Sequence, residues 1–287
     1  LGTRRIVENQ LLIFTQLYKF GGNCLSQKKI LLISQNFYPE IGSAGNRIKN
    51  IYQLLKEKEY DLTVLTTEPS YPNKHLYEDD GFWNDEDLNE DERICRISIM
   101  NRKYSTSMFN RLLYYIEIFM RMIFFVLFTR HRYDVVFATS PSIFIGFVGV
   151  IAKIRFRARL ILDIRDLWPD SLKGVGVFNQ KGTLWFFSLL ETKMYRSANG
   201  IIVNSIGFED HIGKRLKGKK KPIIRFMPNG ARHFEISGRK EKIHSEFKVI
   251  YTGNIGLAQD VDFLKELAAA LFHEDIFYQK FPAMKLY

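Results

Sequence analysis

Short apolar runs alternate along this chain with segments whose apolar positions recur at helical spacing. Ile30 to Ser34, Asp61 to Thr66, Arg93 to Ile99, Tyr133 to Ala138, Leu160 to Leu162, Gly200 to Val203 and Ile223 to Met227 read as strands. Between the first two, Ile48, Ile51, Leu54 and Leu55 mark one face of a helix starting at Asn46. Three further segments read as helices: the one running through Ala152, Trp185 to Tyr195, and Glu209 to Arg215. Strand, glycine-bearing loop, helix, strand is a βαβ order, which implies parallel strands joined by a right-handed crossover. The pattern predicts a doubly wound α/β sheet over residues 29–230, with helices on both faces. The loops after Ile30–Ser34 and Leu160–Leu162 should then open on the same rim.

Residues 1–28 read as an N-terminal extension, whose apolar run Leu11 to Phe20 is interrupted by Gln16 and lacks the cleavage pattern of a signal peptide. Residues 231–246 are polar and short of core patterning, so they read as a linker. A second βα unit opens at Phe247 to Thr252, continues through Gly253-Asn254-Ile255-Gly256, and leads to a helix over Ala258 to Leu271. One strand and one helix cannot close a buried parallel sheet. The expectation is therefore an incomplete second domain over 247–287, with a tail that does not continue the alternation.

An apolar fraction of 46% places the chain among globular proteins. The formal charge of +11 favours anionic partners. The basic residues are dispersed and carry no RNA or DNA motif, which sets nucleic acid aside. Cys24 and Cys95 have neither metal-site nor CxxC spacing, so a reducing compartment is the simplest reading. The long polar connection 67–93 holds an acidic run from Glu78 to Glu92, but its spacing matches no calcium loop, and no metal is expected. Phe109 to Phe128 is the most apolar segment, with Glu117 and Arg121 placed to pair across one helical turn. Those charges argue against a membrane span. Two readings stay open: a helix buried in the domain, or one lying partly in a bilayer interface with Arg111, Arg130 and Arg132 near headgroups.

The chemistry gathers where strands leave the sheet. The stretch from Arg159 to Ser171 ends an apolar strand in a crowd of charged residues, and open α/β sheets bind ligands at strand carboxyl ends. Asp163 and Arg165 can be read as a structural ion pair, with Asp170-Ser171 capping the next helix, or as members of a site. Gly42-Ser43-Ala44-Gly45 lies between the first strand and its helix, where backbone amides can approach a phosphate. It does not match GxGxxG, so a nicotinamide cofactor is unsupported.

Taken together, the motifs resemble the GT-B glycosyltransferases of family 4, especially bacterial enzymes that build lipid-linked surface polysaccharides. The matching pieces are Gln35 to Glu40 with Gly42 to Gly45, Thr139-Ser140-Pro141, Asp163 to Pro169, Val203-Asn204-Ser205, Pro228-Asn229-Gly230 and Tyr251 to Gly256. They fall in order over about residues 29 to 267. The resemblance implies a Rossmann-like acceptor-side domain followed by a Rossmann-like donor domain, here truncated. It implies retaining hexosyl transfer from a nucleotide-sugar donor to a polyprenyl-pyrophosphate-linked saccharide, without cofactor or metal, at an anionic membrane surface on the cytoplasmic face.

By the same resemblance, Gly42, Ser43, Ala44 and Gly45 approach the donor phosphates from one lip and Gly253, Asn254, Ile255 and Gly256 from the other. Asn36, Ser140 and Trp168 fall on the acceptor side. Asp166 and Arg165 stand where relatives present catalytic groups, with Asp166 orienting or deprotonating the acceptor hydroxyl. Many relatives carry a histidine near this point. The paired glutamates of the donor domain have no counterpart, so the chain as it stands is expected to be inactive. The alternative is a non-catalytic remnant that binds acceptor or membrane.

Overall fold

In a computed structural model of the chain, the seven strands of the first unit form one parallel sheet. The structure describes residues 28–71, 73–100, 108–140, 142–168, 170, 181–216 and 222–230, together with 247–248, 260–263, 265–266, 269 and 284–285. The extension 1–27, residues 217–221, the linker 231–246 and the Gly253 to Gly256 loop lie outside the described residues. Of the helix expected over Ala258 to Leu271, residues 261–263, 265–266 and 269 are helical.

The strands are β1 (Lys29–Ile33), β2 (Asp61–Thr67), β3 (Ile94–Ile97), β4 (Val135–Ser140), β5 (Arg159–Ile164), β6 (Gly200–Val203) and β7 (Ile223–Phe226), in the order β3-β2-β1-β4-β5-β6-β7. The helices are α1 (Ser43–Lys56), α2 (Glu86–Asn89), α3 (Met108–Phe128), α4 (Ile143–Phe156), α5 (Lys181–Ser197) and α6 (Ile206–Arg215). The predicted doubly wound sheet is present, and Ile30 and Leu160 belong to it together.

Strand alternation sends neighbouring side chains to opposite faces. Ile30 and Leu32 of β1 pack with Ile48, Ile51, Tyr52 and Leu55 of α1 on one face. Leu31 and Ile33 join the other core, which takes Ile118 and Met122 of α3, Val148 and Ala152 of α4, Tyr195 of α5 and Ile212 of α6. Burial on both faces explains the continuous apolar runs.

Several boundaries differ from the sequence reading. Helix α1 starts at Ser43, three residues before Asn46, because Gly42 supplies the helix N-cap with φ +138°, a conformation that favours glycine. Strand β5 runs on to Ile164, so Asp163 is a buried strand residue. Ser205 holds the N-cap position of α6, but its side chain makes no capping bond.

The long connection 67–93 contains two turns of 3-10 helix, Lys74–Glu78 and Asp80–Phe82, and the short helix α2. Several of its carboxylates are occupied by cations. Asp85 pairs with Lys49 at 2.9 Å, and Asp91 meets Lys56 at 3.0 Å and Arg93 at 3.1 Å.

A second compact unit comprises Asp170–Asn179 and Ile236–Tyr287. In it β8 (Phe247–Lys248) pairs parallel with β9 (Met284–Lys285).

Candidate functional site

The connections from β1 and β4 leave in opposite directions, β1 toward β2 and β4 toward β5. The gap between the carboxyl ends of β1 and β4 is thus the point where strand order reverses, the usual ligand crevice of an open α/β sheet. Four segments converge there: residues 34–45 after β1, Thr139, Ser140 and Ser142 at the end of β4, Asp163 to Trp168 at the end of β5, and Pro228 to Gly230 after β7.

Arg47 is the hub of the convergence. Its Nε and Nη2 donate to the two carboxylate oxygens of Asp163 at 3.0 and 2.8 Å. Its Nη1 donates to the Pro228 carbonyl at 3.1 Å and to Asn229 Oδ1 at 3.2 Å. The Thr139 hydroxyl also donates to Asp163, at 3.1 Å, and Asn50 donates to the Gly230 carbonyl at 3.3 Å. Both members of the pair are buried, the Asp163 side chain completely. The structural ion pair read as one alternative for Asp163 and Arg165 is not formed: the buried Asp163 carboxylate is taken two-pronged by Arg47 of α1, while Arg165 reaches Ser43.

Arg165 turns instead to the start of α1, where its Nη2 donates to Ser43 Oγ at 3.1 Å. Residues from two separate motifs, Gly42 to Gly45 and Arg165-Asp166, are therefore brought together. The Nε of Arg165 is buried without a hydrogen-bond partner. Burial lowers the Arg165 pKa from its ordinary value, with Arg47 acting the same way and Asp163 and Asp166 opposing. Asp166 is solvent-accessible at its surface, yet desolvation by the surrounding atoms raises its carboxyl above the ordinary carboxylate value, with Arg165 working against the rise.

The other predicted residues are placed as follows. Gly45 is buried, and a Cβ there would stand 2.6 Å from the Glu40 carbonyl oxygen, so this glycine serves close packing of α1 on the preceding loop. Ser43 is exposed and Ala44 half-buried in the first turn of α1, which carries no acidic residue. Asn36 donates through Nδ2 to Glu40 Oε1, and Glu40 Oε2 accepts from the Ser70 amide at 3.2 Å. Ser140 is buried and donates to the Ser142 carbonyl at 3.1 Å. Trp168 is half-buried with its ring edge-on to Phe187. Among the described residues no group of His, Cys, Asp or Glu is arranged to hold a metal ion.

Sequence reasoning missed Arg47 and Asn50. The signal was available, since Arg47, Asn50, Ile51 and Leu54 fall in one stripe of α1, and a charged residue inside an apolar stripe needs a buried partner.

Residues 42–230, more than half of the chain, match the glycosyl transferase 4-like domain. The chain belongs to that family. The matched segment of this glycosyl transferase 4-like protein starts at the Gly42 cap and ends at Gly230, so it contains the Arg47 hub, the last four residues of the segment after β1 and the other three converging segments. No curated protein matches the chain.

Among solved structures, Anabaena HepE in complex with UDP and glucose is similar at 16% identity over 71% of this chain and 45% of its own, with a TM-score of 0.40. Sucrose-phosphate synthase from Thermosynechococcus elongatus is similar at 18% over 70% of this chain and 48% of its own, with a TM-score of 0.42. The HepE complex with UDP-glucose gives 15% over 91% and 68%, with a TM-score of 0.46. The chain spans about half the length of the first two. At these identities and scores the family assignment is carried by the domain match.

Proposed function

We propose that this protein takes part in glycosyl transfer, moving a hexosyl group with retention from a nucleotide-sugar donor to a polyprenyl-pyrophosphate-linked saccharide in bacterial surface-polysaccharide synthesis. The observation that carries the reading is Arg165 beside the first turn of α1. A half-buried guanidinium with an unpaired Nε adjoins the first turn of α1, which carries no acidic residue of its own. A nucleoside diphosphate leaves with growing negative charge, which fixed dipoles and a cation stabilise best at such a point.

In this reading Ser43, Ala44 and the Gly42 cap face the donor phosphates, and Gly253, Asn254, Ile255 and Gly256 belong to the same donor role. Asp166 orients or deprotonates the acceptor hydroxyl, its raised pKa bringing it closer to the range in which a base works. Asn36, Ser140 and Trp168 lie on the acceptor side. Asn36 and Ser140 shape their own loops through the hydrogen bonds described above. The protein works at the cytoplasmic face of the cell membrane, where such acceptors are anchored.

The test is calorimetric titration of a form carrying a complete donor domain with a panel of nucleotide sugars, UDP-glucose included, followed by a transfer assay with extracted lipid-linked saccharides. Saturable donor binding that Arg165→Met weakens is the expected result. Failure of every common donor to bind would favour a non-catalytic acceptor- or membrane-binding role.

A further inference from the structure

Helix α3 is apolar on two opposite sides. Tyr114, Ile118, Met122 and Val126, each four residues apart, point into the core. Ile116, Met120, Phe124 and Phe128 repeat the same spacing on the outer side, where Phe124 is 63% and Phe128 68% exposed. A surface helix ordinarily turns polar residues outward. A continuous exposed apolar stripe of this kind marks a contact surface.

The stripe ends in cations. Beyond Phe128 the chain passes through Arg130, His131 and Arg132, all exposed, with exposed Lys29 at the amino end of β1 beside them. Between the last turns of α3 and the amino ends of β1, β2 and β3 lies a groove of about 1200 Å³. Met120, Phe124, Phe125 and Phe128 supply its apolar wall, while basic residues outnumber Asp61 and Glu92 in its lining.

We infer that this face docks on an anionic lipid bilayer, with the α3 stripe among the acyl chains and Arg130, His131 and Arg132 against headgroup phosphates. A second copy of the chain fits this surface poorly, because it would bring the same cations face to face. No described helix is long and apolar enough to cross a membrane, so α3 lies on the bilayer. The stripe runs along the helix rather than capping its end, which sets the helix axis in the membrane plane.

Helix α3 connects parallel strands β3 and β4, so the strands lie in that plane as well. The carboxyl rim with Arg165 and Asp166 then opens sideways, within about one helix length (~30 Å) of the Phe128 end. An acceptor anchored in the same bilayer meets the rim at headgroup height. This orientation rests on the lipid-linked reading above; the bilayer contact itself does not.

The test is co-sedimentation of the full chain with vesicles of phosphatidylcholine alone or with about one third phosphatidylglycerol, without any sugar donor, so its outcome is independent of transferase activity. Binding is expected to the anionic vesicles and to weaken as salt rises. Phe124→Glu/Phe128→Glu should abolish it. Arg130→Gln/Arg132→Gln should weaken it on the order of tenfold and flatten its salt dependence. All four positions are exposed, and a thermal melt checks the fold. Absence of binding to anionic vesicles, or binding that neither variant reduces, overturns the inference. So does a dimer in solution that Phe124→Glu/Phe128→Glu separates while vesicles go unbound.

Discussion

Arg47 and Asp163, 116 residues apart in sequence, form a buried two-pronged ion pair that fastens α1 to β5. The same guanidinium reaches Pro228 and Asn229, so one side chain ties α1 to two of the converging segments.

Arg47→Met should therefore be strongly destabilising. It leaves the Asp163 carboxylate buried with only the Thr139 hydroxyl among its described donors, and an orphaned buried charge costs about 3–5 kcal/mol. The double substitution Arg47→Met/Asp163→Leu removes both charges and should recover much of that loss. Urea unfolding of the two single variants and the double variant checks this. Equal loss in single and double variants would show that the Pro228 and Asn229 bonds, not the pair, carry the stability.

The glycines near this rim should respond to alanine in different ways. Gly45→Ala drives a Cβ against the Glu40 carbonyl, a backbone atom that cannot swing aside, at a cost of about 1–3 kcal/mol. Gly42→Ala meets open space but strains a backbone with φ +138°, also costing about 1–3 kcal/mol. Gly213→Ala, within α6 and with nothing near its Cβ, should stabilise by up to about 1 kcal/mol. Melting temperatures of the three variants give the ordering directly.

The sheet was readable because its strands are buried on both faces, so apolar residues run together without a competing pattern. The start of α1 was not, since Gly42 and Gly45 suggest a loop until their separate roles as cap and packing contact are visible. Asp163 and Arg165 lie two apart on one face of an extended chain, which makes their pairing the natural local guess. The true partner, Arg47, is set by topology, and no local spacing reveals it. Likewise, the acidic run between Glu78 and Glu92 follows no ligand spacing in sequence, and the pairing of its Asp85 with Lys49 and of its Asp91 with Lys56 and Arg93 appears only in the fold.

Asp91 should govern the acid limb of stability. Burial raises its pKa, but hydrogen bonds from Arg93, Tyr52 and Lys56 outweigh that and hold the carboxyl below its ordinary value. A depressed folded pKa stabilises the protein above the unfolded value of about 3.9, and the contribution is lost as pH falls from there through the folded value. Asp91→Asn should cost on the order of 2 kcal/mol at pH 7. Its stability curve should converge with the parent's as pH drops below about 4. Urea midpoints measured from pH 2 to pH 7 test the convergence; parallel curves would remove Asp91 from the acid response.

Asp166 and Arg165 carry the catalytic prediction. Asp166→Asn keeps the size of the side chain and removes its charge. In a form of the enzyme with a complete donor domain, kcat should fall on the order of 10²–10⁴-fold with acceptor saturating and the melt unchanged if the carboxylate is the general base. The pH profile supplies a second readout. A base must be ionised, and desolvation raises the Asp166 pKa while the Arg165 guanidinium lowers it. Activity should thus decline as pH falls through a value above the ordinary carboxylate pKa of about 3.9. Arg165→Met removes the lowering charge and should move that decline to higher pH, besides weakening donor binding. A purely structural Arg165, tying its loop to Ser43, would change stability and leave the position of the decline where it was. An unchanged kcat in Asp166→Asn would take the carboxylate out of the mechanism. Arg165 and the first amides of α1 would then remain as the groups that stabilise the departing diphosphate.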